Sequence, residues 1–346
     1  MKDELPNEKE ENPSKRYGNK KSLLPFEIKE RAILVKRHSE TSPKYGCNPG
    51  ERPLKELLDY GVVNIDKPKG PTSHEVSAFV QKILNINKSG HSGTLDPIVT
   101  GVLAVAIGRA TRVVQSLLTA GKEYVGVMHL HKEVPLDDLK EVISSHFSGK
   151  IKQLPPIKSA IKRQLRERTI YYFNIIEIEG QDVLFRTGVE AGTYIRKLCH
   201  DIGKELGCGA HMAELRRTKA GPFKEDSLVT LHDLTDAFYY YNQGQDKFLR
   251  KCIQPIEMAV KHLPKMWVLD TTIGTIVHGV NLKVPGVSKL NTGINDGDTV
   301  AVMSLKDELV AVGVAKMGSN SILKKDRGVA VRIEKVFMQE GVYFKS

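Results

Sequence analysis

Cysteine is scarce and scattered. Cys47, Cys199, Cys208 and Cys252 form no CxxC pair and no Cys/His cluster with ligand spacing, so neither a zinc site nor a disulfide framework is expected, and a reducing, intracellular setting fits. Long apolar runs are also missing: none approaches the ~18 residues of a membrane helix. The opening MKDELPNEKEENPSKR is charged throughout and lacks the apolar centre of a signal peptide, which predicts a soluble chain. The KDEL at residues 2–5 is coincidental, because that retention signal is read at a C-terminus. Acidic residues fall short of basic ones, 41 against 52, leaving a formal net charge of +11. Such an excess favours a polyanionic partner, although a merely solvated basic face gives the same count. Cofactor and hydrolase devices are absent too: there is no GxGxxG after a strand, no P-loop, no HExxH and no GxSxG.

What is present sorts into an arm and two domains, as 346 residues allow. Residues 1–60 mix charge with Pro, Asn, Gly and Ser, and only FEIKERAILVKR (26–37) has enough apolar content to pack on something else. From Gly61 the texture changes. GVVNI predicts a buried strand, DKPKGP a turn, and Thr72 with Glu75 a capping box before a helix whose Val76, Phe79, Val80, Ile83 and Leu84 share a face. VLAVAI (102–107) predicts a strand, RATRVVQSLL a helix and EYVGVMHL a strand. Further on, YYFNIIEIEG and DVLFRTGVE should pair through Gly180, and Thr193 should cap a helix YIRKLCHDIGKEL that ends at Gly207. IQPIEMAVKHLP reads as a connecting helix, closing a domain of 61–263. Residues 264–346 are almost wholly short strands with Gly/Pro turns, which predicts a small all-β domain.

The chemistry-bearing residues gather in islands: NIDKPKGPTSHE (64–75), GHSGTLDP (90–97), GKEY (121–124), EAGTYIRKLCHDIG (190–203) and AHMAELRRTKAGPF (210–223). Asp96 has two readings. It can form an ordinary Asx turn before a strand, or, held extended by Pro97, present a reactive carboxylate from a loop. Arg196 falls in a first helical turn, where a cation opposes the helix dipole and some other reason must place it. The run Lys158, Lys162, Arg163, Arg166, Arg168 has one acidic interruption, Glu167, and suits either a phosphate backbone or plain solvation. Arg216, Arg217 and Lys219 are a second cluster of this kind.

Together these islands resemble the pseudouridine synthases, specifically the branch with the bacterial tRNA T-loop enzyme and the dyskerin-like catalytic subunit of H/ACA ribonucleoproteins. The resemblance runs from about Gly61 to the C-terminus. GKEYVGVMHLH, PPIKSAIKRQLRERTIYY and AHMAELRRTKAGPFKED are similar to the dyskerin-like subgroup over long stretches, and HGVNLKVPGV with INDGDTVAVM looks like a PUA domain. Departures are small, such as Ser92 where relatives usually carry a second small or hydroxyl residue, and Ser346 is not followed by the lysine-rich tail of eukaryotic members. An archaeal-type, cytoplasmic protein is expected; a eukaryotic one would be nucleolar.

The resemblance implies a mixed α/β (α+β) catalytic domain with a largely antiparallel central sheet, a PUA pseudobarrel, and an N-terminal arm packed on it. It makes Asp96 the catalytic residue, Arg196 the arginine that pairs with it, and Tyr124 the ring on which a flipped uracil stacks and a proton acceptor for C5. Tyr194 and Leu215 would line the same pocket. His91 would fill the space left by the flipped uridine or simply bond within its loop. Lys67 would pin the loop from beneath, and is counted with the substrate-binding residues. No cofactor is implied. The implied partners are an H/ACA guide RNA and substrate RNA, a small zinc-ribbon-like subunit, a glycine-arginine-type β-barrel subunit and a kink-turn-binding ribosomal-type protein. A guide-independent tRNA synthase and a non-catalytic RNA-binding scaffold are the rival readings.

Overall fold

The computed structural model describes residues 22–155 and 164–343. These form two compact units: residues 22 and 123–216 in one, 23–122 and 217–343 in the other.

In the larger unit the strand Gly61–Lys67 runs antiparallel to Thr100–Ile107, with Val63 opposite Val105 and Ile65 opposite Leu103. Both strands are buried on both faces, so they read as continuous apolar runs rather than alternating ones. The capping box forms as expected: Thr72 Oγ1 accepts from Glu75 N, and Glu75 Oε2 accepts from Thr72 N, opening the helix Ser73–Leu84. Val76, Val80 and Leu84 pack on Val63, Ile65, Leu103 and Val105. Phe79 turns away and is 43% exposed. The other face of the same strands, through Val62, Val102, Ala104 and Ala106, shares one core with Ile256, Val260, Trp267, Ala301 and Met303.

Two expected elements differ. RATRVVQSLL splits into a 3-10 turn Gly108–Val113 and a short helix Val114–Leu118, starting from Gly108 at φ +54°. The expected connecting helix at 253–264 is a strand, Ile253–Pro255, followed by the 3-10 segment Ile256–Val260. Pro255 lacks the N–H that a helix interior needs, whereas the edge of Gly61–Lys67 accepts the segment as a short antiparallel strand. The aromatic stretch before it is helical, Leu231–Asn242, opened by a Thr230–Asp233 capping box.

The all-β part of this unit is a seven-stranded sheet in the order Ile33–Val35, Val287–Asn291, Lys265–Val268, Thr299–Met303, Leu309–Ala315, Val329–Val336, Leu282–Lys283. Its first strand comes from the arm. Arg52 adds a buried two-bond ion pair to Glu257, at 3.0 and 2.9 Å.

The smaller unit is built on antiparallel strands Gly149–Gln153, Arg166–Glu179 and Asp182–Val189, paired through the Gly180 turn, with helices Leu136–His146 and Ile195–Glu205. Thr193 does not cap the second helix: its hydroxyl donates to Glu190 O within the preceding turn, and Tyr194 takes the cap position. The fold class is the one the sequence implies, a mixed α/β chain with an antiparallel-rich sheet and a small all-β part.

Candidate active site

In the larger unit Asp96 sits on an exposed turn closed by Val99 N donating to Asp96 O at 3.0 Å. Lys67 lies under this turn with no exposure at all, its Nζ donating to Pro68 O, Pro97 O and Val99 O at 2.9–3.1 Å. Burial, and then Arg217, lowers the Lys67 pKa, while Asp96 acts in the opposite direction. A side chain so enclosed cannot touch a bound nucleotide, which corrects its count among the substrate-binding residues. It holds the loop from below.

Arg217 is also corrected. It is 1% exposed and does not offer itself to phosphates: Nε donates to Val102 O at 2.7 Å and Nη2 to Gly93 O at 3.2 Å. Its neighbour Lys219 is tied to Glu27 of the arm at 3.1 Å. Both basic residues had looked like surface because a strand of alternating charge and apolar residues has two faces, and sequence does not say which one is covered.

His91 is half-buried and packs edge-on against His74, with ring centroids 4.8 Å apart. Burial, with His74 and Arg217 adding to it, lowers its pKa to about 4, so the ring is neutral near pH 7. Lys122, ahead of Tyr124 in sequence, is buried and donates to the carbonyls of Leu117, Leu118 and Ala120, ending the helix Val114–Leu118.

The smaller unit carries the other expected residues. Tyr124 is buried on the strand Lys122–Leu130. Two residues on, Gly126 leaves room for Leu215: a Cβ there would meet Leu215 Cδ1 at 2.7 Å. The alternation of the strand puts Tyr124 and Gly126 on one face, so Tyr124 and Leu215 share it. Tyr194 is fixed by a neutral amide, since its N–H donates to Gln153 Oε1 at 3.0 Å and its carbonyl accepts from Gln153 Nε2 at 3.3 Å. Arg196 is exposed at the second position of the helix that follows. Beside Tyr124, Glu123 is buried and accepts a 2.5 Å hydrogen bond from Tyr172. Tyr172 lies across Gly188, where any Cβ would collide with its ring.

Of the basic residues in this unit, Arg166 and Arg168 are half-buried on the strand Arg166–Glu179, Arg168 within 3.8 Å of Glu190, and Arg216 is half-buried too. Lys158, Lys162 and Arg163 lie outside the described residues. Sequence reading missed Ser73, Gln153, Glu123 and Tyr172; each bonds to a neighbour distant in sequence, for which one chain gives no local signal. Among the described residues no group of three or more His, Cys, Asp or Glu is placed to hold a metal ion, and no helix is long and apolar enough to cross a membrane.

Comparison with known proteins covers nearly all of the described residues. Residues 81–195 match the N-terminal domain of the TruB family pseudouridylate synthases, 196–261 the tRNA pseudouridylate synthase B C-terminal domain, 21–77 the DKCLD domain and 264–337 the PUA domain. The chain is 56% identical over 325 residues to a probable tRNA pseudouridine synthase B of Pyrococcus abyssi, covering 93% of this chain and 97% of the relative. It is 51% identical over 330 residues to the protein of the same name in Methanopyrus kandleri, at 95% and 97% coverage. Among solved structures it is similar to a chain of a Cbf5-Nop10-Gar1 complex, with TM-score 0.89, 56% identity and coverage of 94% and 99%. It is also similar to a chain of an H/ACA RNP bound to a substrate RNA containing 2′-deoxyuridine, with TM-score 0.87, 54% identity and coverage of 93% and 99%. Identity of this order across both units, over an exposed aspartate on a loop fastened from the core, makes the chain a member of the TruB family of pseudouridylate synthases, which isomerise uridine within RNA.

Proposed function

We propose that the chain converts uridine to pseudouridine at Asp96, mainly in ribosomal RNA, as the catalytic subunit of an H/ACA guide ribonucleoprotein. The observation that carries the catalytic part is the contrast at the loop: Asp96 is exposed while the backbone on both sides is bonded to buried side chains. The reaction breaks the bond from ribose C1′ to uracil N1 and joins C1′ to C5, with loss of the C5 proton to solvent and its replacement at N1. No oxidant is consumed. One carboxylate held at a fixed point is enough, whether it adds to the sugar or the base or takes a ribose proton. Tyr124 supplies a ring for the extruded uracil and Leu215 an apolar wall, and Arg196 takes the role that the family resemblance implies.

The guided role is supported by the solved chains to which this one is similar, described in complex with Nop10 and Gar1 and as an H/ACA RNP with substrate RNA. Those partners correspond to the small subunits the sequence resemblance implies. The archaeal relatives support a cytoplasmic setting. Their names, probable tRNA pseudouridine synthase B, favour a second reading, direct action on tRNA without a guide. Matched and mismatched guides compared on one substrate RNA, with tritium release from C5 as the readout, separate the two. Redirection of modification by a new guide is the expected result; modification that ignores the guide favours the tRNA reading.

A further inference from the structure

The loop around Asp96 is fastened residue by residue. Ser92, buried, exchanges bonds with Ala104: its Oγ accepts from Ala104 N at 3.1 Å and its N–H donates to Ala104 O at 2.9 Å. Gly93 O accepts from Arg217. Leu95, one residue before the aspartate, gives its N–H to Ser73 Oγ at 2.8 Å, and its carbonyl faces the same hydroxyl at 3.3 Å. Pro97 O accepts from Lys67 and from Gly70 N. Thr94, Asp96 and Ile98 meanwhile face solvent.

Ser73 is notable because its own helix does not need it. Thr72 and Glu75 already close the N-terminus of Ser73–Leu84, so a fully buried hydroxyl at the first helical position is spared for a segment 22 residues away. Arg217 uses the fork of its guanidinium in the same way. One arm holds Val102 O on the strand Thr100–Ile107 and the other holds Gly93 O on the loop, which sets the distance between them. Gly93 itself sits at φ +122°, a conformation that only a held glycine keeps without strain.

We propose that Ser73 and Arg217 are positioning residues for the isomerisation, fixing where Asp96 stands relative to the core without touching the RNA. This rests on the reading of Asp96 as the catalytic carboxylate. Their loss should slow chemistry and spare binding, because a carboxylate displaced by a fraction of an ångström no longer meets its target atom while the RNA contacts remain.

The test is single-turnover tritium release by the full chain assembled with its guide RNA and partner subunits, with RNA affinity measured alongside. For Ser73→Ala the rate of the chemical step should fall about tenfold or more, while RNA affinity stays within about twofold. Arg217→Lys keeps the charge but cannot reach both carbonyls, and should show the same split. If Arg217→Lys does not fold, Ser73→Ala, which removes one oxygen atom, decides the matter. An unchanged rate in Ser73→Ala overturns the proposal, and so does a rate that falls only in step with RNA affinity. Asp96→Asn run in parallel separates the levels. Inactive Asp96→Asn beside a fully active Ser73→Ala removes this inference alone, whereas active Asp96→Asn removes the catalytic reading and this inference with it.

Discussion

Around Asp96 the backbone is held by charge and hydroxyl from buried side chains: Lys67 to three carbonyls, Arg217 to two, Ser73 to one residue's N–H and carbonyl. Around Arg196 it is held by neutral groups, the Gln153 amide on Tyr194 and the Thr193 hydroxyl on Glu190 O. Both arrangements leave the side chain proposed for the site exposed and lock its neighbours. They differ in what a broken bond leaves behind. An ammonium without carbonyls, or carbonyls without their ammonium, is a severe fault in an apolar interior, whereas a missing amide next to a surface turn is repaired by water.

The largest expected effect is on activity. Asp96→Asn keeps shape and removes the reactive carboxylate, so tritium release should vanish while RNA affinity stays near that of the parent chain. Arg196→Ala, on the neutral side of the comparison, should nearly silence the enzyme with the fold intact, as circular dichroism would show. Turnover persisting in either variant removes that residue from the chemistry.

Stability should divide the two segments next. Lys67→Met removes the donor that three carbonyls share, of which Val99 O is buried and Pro97 O keeps Gly70 N, and should cost about 2 kcal/mol or more in denaturant unfolding. A loss below about 1 kcal/mol would mean that water reaches the site and that the charged hold is no stronger than the neutral one.

Acid sharpens the same contrast, because the unit that holds Asp96 also contains His262. Its ring is buried, bonded through Nε2 to Ser116 O and packed edge-on against Phe26. Burial lowers its pKa to about 4, with Lys122 and Arg31 adding to the shift and the Ser116 bond opposing it. Between pH 6.5 and that value the unfolded chain binds a proton that the folded chain refuses. Stability is therefore full above the upper value and declines as pH falls through the window, by about 3 kcal/mol from this one group. Hydrogen exchange should show residues 23–122 and 217–343 loosening first on acidification, and His262→Leu should flatten the decline. The smallest effect is expected from Gln153→Ala, about 1–2 kcal/mol, with the rate of isomerisation lowered through Tyr194 more than the melting temperature is.

Much of this could be read from the chain. The capping box at Thr72, the apolar run at 102–107, the turn at Gly180 and the exposed turn at Asp96 are local features, and local rules predict them. Arg217 shows where such rules stop. Its neighbours in sequence are charged and polar, so it reads as surface, yet carbonyls contributed by Val102 and Gly93 satisfy its donors and allow it inside. Thr193 fails for a related reason, since the preceding turn offers its hydroxyl a nearer acceptor than the helix does. The segment 253–264 departs from its helical pattern because, although its apolar spacing fits a helix, the free edge of the neighbouring strand takes up Ile253–Pro255.

The arm strand Ile33–Val35 pairs with Val287–Asn291, Ile33 opposite Asn291 and Val35 opposite Lys289. On the ribosome, this strand emerges about 250 residues before its partner is made, a very long-range pairing. It has to wait through the synthesis of nearly the whole enzyme. Val287–Asn291 in turn has Lys265–Val268 on its other side, so until the arm arrives it is a bare edge open to any passing strand. A late strand of the chain is thus completed by an early one, and a nascent chain has no finished all-β sheet until that pairing is made.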